Sequence, residues 1–231
     1  MKILYLAGLL LLSMWAMAEP TPFRAVYQAD YKGLPVSATG IRELRQVEGD
    51  KYLFSSSAKS FFTSITEQSL FDWQDGIVPL EYQYNRKGVG KNRKDRLIFD
   101  WQSNTASFAE TDYTVAPGTL DKLLYQVQMR QDLMAAGKGT WPKMHYQIAD
   151  RNRLREYEFQ ITGEEIIETP IGKFNTVKAT RIRRDSDRIT TFWMAPEYDF
   201  LLIRLKQIED KGGFELLLKE AEFNGQPLKG M

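Results

Sequence analysis

Six cationic side chains crowded into one short stretch are the strongest chemical signal in this sequence. Arg86, Lys87, Lys91, Arg93, Lys94 and Arg96 are opposed there only by Asp95. Such a cluster can hold an anion: a lipid phosphate, lipopolysaccharide or a cell-wall polymer. Beside an anionic membrane it contributes about 1 kcal/mol per charge. The same residues also suit a solvated hairpin whose charges keep a strand edge from pairing with another chain. The second signal is aromatic. Trp73, Tyr82, Tyr84, Trp101 and Trp193 can line a ligand cavity or fill the inside of a sheet.

Catalytic patterns are weaker. Ser56-Ser57-Ala58-Lys59 has the S-x-x-K spacing by which penicillin-recognising enzymes set a Ser nucleophile beside a Lys. That pairing needs a helical turn, whereas the surroundings read as strand and put Ser56 and Lys59 on opposite faces. The expected K-T-G partner is missing, because Lys138-Gly139-Thr140 has the wrong order. His145 is the single histidine, so it cannot share a zinc ion with another, and between Met144 and Tyr146 it reads as structural. Gly88-Val89-Gly90 lacks the strand-turn-helix setting of a dinucleotide loop and suits a hairpin tip. Glu164 and Glu165 are adjacent and diverge on a strand. A hydrolase of the glycosidase kind needs two carboxylates facing each other about 5 to 10 Å apart, for which Asp72, Asp75 and Asp100 are the candidates. No catalytic constellation emerges, and neither enzyme activity, metal nor cofactor is expected.

The elements that carry these residues read as strands. LFDWQDG and IFDWQSN each place Phe and Trp two apart, on one strand face, before a polar turn. With the strand and basic loop between them they predict an antiparallel meander with an aromatic face. Phe23 to Tyr31 alternates most clearly, Lys32-Gly33-Leu34-Pro35 turns it, and Gly40 in the returning strand suits a bulge or bend. Turns every eight to twelve residues continue to the C-terminus and argue for a barrel or sandwich. One helix is expected, with Thr119 as cap, Asp121 in its positive N-terminal end and Gly137 at its stop. Leu120, Leu123, Leu124, Val127 and Met134 would form its apolar stripe.

Lys2, the apolar run Ile3 to Leu12 and Ala16-Met17-Ala18 read as a secretory signal peptide over residues 1–18, cleaved after Ala18. Residues 19–231 then form a single β-rich domain, long enough to bury a core without disulfides, which the absence of cysteine forbids. Losing Lys2 balances the 31 Lys+Arg against the 30 Asp+Glu, which speaks against nucleic acid as a partner. No transmembrane segment is expected after cleavage.

Several phrases, in their order, resemble the bacterial exported family catalogued as domain of unknown function 3108: the first strand through Leu44, SLFDWQDGIVPLEYQY with its basic sequel, DKLLYQVQMRQDL, ETPIGKFNTVKATRI and TTFWMAPEYDFLLIRL. The resemblance implies an envelope location and a β-rich fold and supplies no activity. By fold-level analogy alone, the layout is similar to the half-open barrels of periplasmic lipoprotein carriers. The expected fold is mainly β: a strongly curved antiparallel sheet, or a half-open or closed barrel, with one covering α-helix. The expected role is non-catalytic binding of an amphipathic or anionic envelope ligand in the periplasm, a lipid or a cell-wall polymer. The apolar part would meet the aromatic face and the anionic part the Arg86–Arg96 loop. A protein-interaction module in envelope assembly, without a ligand cavity, is the first alternative, and a carboxylate-based hydrolase the second.

Overall fold

Alternation of apolar and polar residues decides most of the chain, because it lets each strand bury one face. The computed structural model describes residues 18–31, 37–88, 90–137, 139–184, 186–210 and 212–231. Most of the expected signal peptide (residues 1–17), the expected turn at Lys32-Gly33-Leu34-Pro35, Val89 and Lys138 lie outside the described residues.

Strands β1 (Phe23–Tyr31), β2 (Ser37–Glu48), β3 (Lys51–Lys59), β4 (Thr63–Trp73), β5 (Ile77–Gly88), β6 (Arg93–Asp100), β7 (Thr105–Phe108) and β8 (Thr111–Thr114) run as an antiparallel meander. Short β9 (Leu120–Asp121) and helix α1 (Tyr125–Ala136) follow. A second wing then forms from β10 (Met144–Asp150), β11 (Arg153–Thr169), β12 (Gly172–Ile182), β13 (Ile189–Ala195), β14 (Leu201–Glu209) and β15 (Gly212–Phe223), with β16 (Gln226–Pro227) on β15. The wings meet where β1 pairs with β15, Phe23 opposite Phe223 and Tyr31 opposite Phe214.

Among the described residues this makes one sheet of 16 strands whose outer members, β8 and β9, do not pair with each other. The sheet is therefore strongly curved but not closed. Its far edge nevertheless curls back over the inner face of the first wing. Ser69 Oγ donates to Asp121 Oδ1 at 2.9 Å, and Arg151 Nε reaches Asp95 Oδ2 at 3.2 Å.

Helix α1 sits in the curl and buries Tyr125, Val127, Met129 and Leu133. Tyr125 stacks on Phe159 with ring centroids 5.5 Å apart. A fully buried side chain of this size contributes roughly 1.5–3 kcal/mol, so this packing, rather than helix propensity, holds the segment.

Three local expectations are corrected. Thr119 does not cap the helix: its Oγ1 donates to Gln147, because Leu120 and Asp121 pair in parallel with β10. Asp121 takes the capping role instead, its Oδ1 accepting the N–H groups of Leu123 and Leu124. Leu120, Leu123 and Leu124 accordingly precede the helix rather than stripe it. Gly40 is paired in register on both sides, opposite Tyr27 and Ala58, and the bulges fall elsewhere. The long strand β11 is bent by a bulge at Ile161/Gly163.

Candidate functional site

Tyr82 lies opposite Ser69 and Leu97, and Tyr84 opposite Glu67 and Asp95, so alternation puts both on the inner face with Phe71 and Trp73. Trp73 and Tyr82 are buried, and Tyr84 and Trp101 pack half-buried against the same core. Trp101 stacks on Phe99 at 5.6 Å and donates to the Pro79 carbonyl at 2.7 Å. Tyr82 donates its hydroxyl to Glu67 Oε2 at 2.6 Å, and burial pushes its phenol far above the usual value. Lys122 lies over both tyrosine rings, at 5.2 and 5.4 Å. All four belong to or pack against the same hydrophobic core.

Trp193, on β13, is placed differently. Its neighbours Phe192 and Met194 line the inner gap with Tyr27, Phe54 and the helix, so Trp193 lies on the opposite face of the sheet, where it is nonetheless buried. There Lys178 and Arg204, from the flanking strands, cover its ring at 5.4 and 4.8 Å, and its indole N–H donates to Glu165. The inner gap bounded by Phe23, Tyr27, Arg42, Phe54 and the helix measures about 20 Å³. That is room for one water molecule rather than a ligand.

The basic stretch is split by the same alternation. Arg86 and Arg93 lie opposite each other on the face of Tyr84 and Asp95, while Lys87, Lys94 and Arg96 lie on the other face and Lys91 in the turn. Arg93 grips Asp95, its Nε 2.8 Å from Oδ2, and its guanidinium covers Tyr84 at 4.7 Å. Burial alone would raise the Asp95 carboxyl, but the hydrogen bonds and charges of Arg93 and Arg151 outweigh it and hold the group below its ordinary value. Arg96 forks onto both oxygens of Glu81 at 2.8 and 2.9 Å. Lys87, Lys91 and Lys94 are exposed and form no ion pair among the described residues.

Sequence reasoning missed the arginines of β2 and β12. Arg42 is buried beneath the helix, with Nη2 donating to Gln126 Oε1 at 2.5 Å. Arg181 lies 3.3 Å above the Tyr157 ring, which meets Tyr125 edge-on at 5.2 Å. Arg183 reaches only Thr190 Oγ1, at 3.5 Å. Burial lowers the pKa of Arg183, and the cations Arg181 and Arg188 lower it further. The Nε atoms of Arg42, Arg181 and Arg183 are all buried without a hydrogen-bond partner. Neither Arg181 nor Arg183 forms an ion pair among the described residues. Beside them runs an open cleft of about 1040 Å³, lined by Arg155, Arg181, Arg183 and Arg184, by the carboxylates Glu156 and Glu158, and by Trp141, Met144, Phe159 and Ile161. The signal was available in Arg181-Ile182-Arg183, where alternation carries two charges onto the face of Val177 and Ala179.

The catalytic candidates are engaged locally. Ser56 and Lys59 lie on strand β3. His145 is exposed and reaches Glu156 Oε2 at 3.1 Å. Asp72 pairs with Lys51 at 3.4 Å, and Asp100 binds the turn at Gln102 and Ser103. Asp75 sits in the turn between β4 and β5 with φ 54°. Among the described residues no three His, Asp or Glu are grouped to hold a metal ion, and no helix is long and apolar enough to cross a membrane.

The family described as "Protein of unknown function (DUF3108)" matches residues 26–219, from within β1 to within β15. The chain belongs to this family. The DUF3108 match thus spans both wings, the helix and the cleft arginines. No curated protein and no solved structure matches the chain.

Proposed function

We propose that this DUF3108 protein is exported to the periplasm and binds there, without catalysis, an anionic amphiphile of the cell envelope. The observation that carries the reading is the pair Arg181 and Arg183. Half-buried cations normally face a carboxylate, because desolvating a charge without compensation costs several kcal/mol. Here Arg183 lies near the cations Arg181 and Arg188, Arg181 covers the Tyr157 ring, and among the described residues each has a buried Nε without an acceptor. An anionic head group at the cleft would supply that acceptor, while Trp141, Phe159 and Ile161 offer apolar surface for the attached chain. On this reading the ligand sits at the arginine cleft rather than on the aromatic face expected from the sequence. Periplasmic export rests on the leader pattern at 1–18.

Titration calorimetry with monomeric lysophosphatidylglycerol tests the reading. Replacing Arg181 and Arg183 together by Ser is expected to weaken binding tenfold or more, since a charged hydrogen bond is worth roughly 1.5–3 kcal/mol. Equal affinity in the variant rejects the cleft. No binding by the wild type rejects the ligand and returns the chain to the interaction-module reading.

A further inference from the structure

The most exposed aromatic side chains share no residue with that cleft's lining. Phe61 is 92% and Phe62 57% exposed, at the tip of the turn between β3 and β4. The two rings meet edge-on at 5.0 Å. The turn beneath them is firm: Ser60 N–H donates to the Thr63 carbonyl at 2.9 Å, and Thr63 N–H returns to Ser60 Oγ at 3.2 Å.

The tip stands next to the basic hairpin. Thr63 pairs with Gly88 and Ser64 with both Lys87 and Lys59. Gly88 adopts φ +114°, and a Cβ there would run into the Phe62 carbonyl and come within 2.8 Å of Thr63 Cα. A glycine is therefore required for the two turns to pack this closely. Lys59 and Lys87 flank the turn, both opposite Ser64, and Lys91 and Lys94 lie on the adjoining β5–β6 hairpin, all exposed and none in an ion pair among the described residues. The nearby carboxylates are committed elsewhere, Glu67 to Tyr82 and Asp95 to Arg93 and Arg151.

We propose that Phe61 and Phe62, flanked by Lys59, Lys87, Lys91 and Lys94, form a tip that docks this protein on an anionic lipid bilayer. The occupant follows from charge and shape. A convex pair of bare phenyl rings enters the head-group region of a bilayer without needing a complementary socket, and lysines around it attract the anionic lipids there. Neither contribution alone holds a protein firmly on a membrane, and here the two coincide at one end of the sheet. The docking site shares no residue with the arginine cleft and does not rest on the ligand reading above.

Vesicle co-sedimentation of residues 19–231 decides it, using phosphatidylcholine alone and phosphatidylcholine mixed in equal parts with phosphatidylglycerol. The wild type is expected to sediment with the mixed vesicles and much less with the neutral ones, and to be released as salt rises. Phe61→Ser with Phe62→Ser, and separately Lys87→Ser with Lys91→Ser and Lys94→Ser, should each lower partitioning about tenfold or more. Both variants should keep the wild-type melting temperature and lysophosphatidylglycerol affinity. Arg181→Ser with Arg183→Ser should keep vesicle binding, so failure of docking and failure of the cleft give different patterns. A wild type that stays in the supernatant with mixed vesicles overturns the proposal. So does a Phe variant that partitions like the wild type, or vesicle binding that the cleft variant alone abolishes.

Discussion

Asp121 shows how one side chain links the helix, the sheet and the solution pH. Its carboxyl is fully buried, and burial pushes its pKa up from 3.8 to about 6, against the Leu124, Leu123 and Ser69 hydrogen bonds that lower it; nearby Glu67 raises it a little further. The sign of the effect follows directly. Between about pH 4 and 6 the folded chain holds a proton here that the unfolded chain has released, so this group makes stability fall as pH rises through that window. Asp132, also raised by burial, acts in the same direction. Asp121→Asn keeps the Oδ1 acceptor for the two backbone N–H groups and removes the titration. Urea unfolding at several pH values should show a shallower slope in the variant across that window. An unchanged slope would mean that Asp121 does not titrate there. Asp121 was legible as a residue suited to the start of a helix, but its burial was not, because it depends on Ser69, a residue 52 positions away. Arg93 and Arg96 look like free charges in the sequence, yet Asp95 engages Arg93 two residues along the same strand and Glu81 engages Arg96 across the hairpin.

At the scale of elements, legibility followed the locality of the contacts. β1 was readable residue by residue because Phe23, Ala25, Tyr27 and Ala29 bury alternately. The start of α1 was not, because the preceding leucines serve β9 and the turn, and the helix is embedded on more than one side. Arg130 and Gln131 are buried beside Met129 and Leu133. Arg130 lies 4.7 Å over the Phe23 ring and donates to the Asp199 carbonyl, and burial lowers its pKa to about 10. A helix held this way depends on its buried face. Leu133→Ala is expected to destabilise the fold by about 2–5 kcal/mol, whereas Ala135→Ser on the exposed side should stay within about 0.5 kcal/mol. Chemical denaturation of the two variants separates the cases. Equal, small effects would show that α1 is a loose cover rather than part of the core.

Over the whole molecule the informative feature is how the two wings are joined. The meander was visible in the sequence because each strand pairs with the next, while the curl was not, because it rests on Ser69–Asp121, Arg151–Asp95 and the pairing of β1 with β15. Phe71 lies in the first wing and Phe174 in the second, both essentially inaccessible. If the wings were separate folding units, Phe71→Ala would lower the stability of one and spare the other. The shared core argues otherwise: helix α1 packs between both wings, with Arg42 of β2 bonded to Gln126 and Tyr125 stacked on Phe159 of β11. Melting one wing would expose the helix face that the other needs, so the chain is expected to unfold in one transition. Each Phe→Ala change, worth about 3–5 kcal/mol, should then shift tryptophan fluorescence and far-ultraviolet circular dichroism midpoints by the same amount. The tryptophans make the comparison sensitive, since Trp73 and Trp101 report the first wing and Trp193 the second. A biphasic curve, or a Phe174→Ala variant that retains the Trp73 and Trp101 transition at its wild-type midpoint, would divide the molecule at the β1–β15 seam. The arginine cleft and the aromatic tip would then belong to different cooperative units, because β10–β12 carry the first and β3–β6 the second.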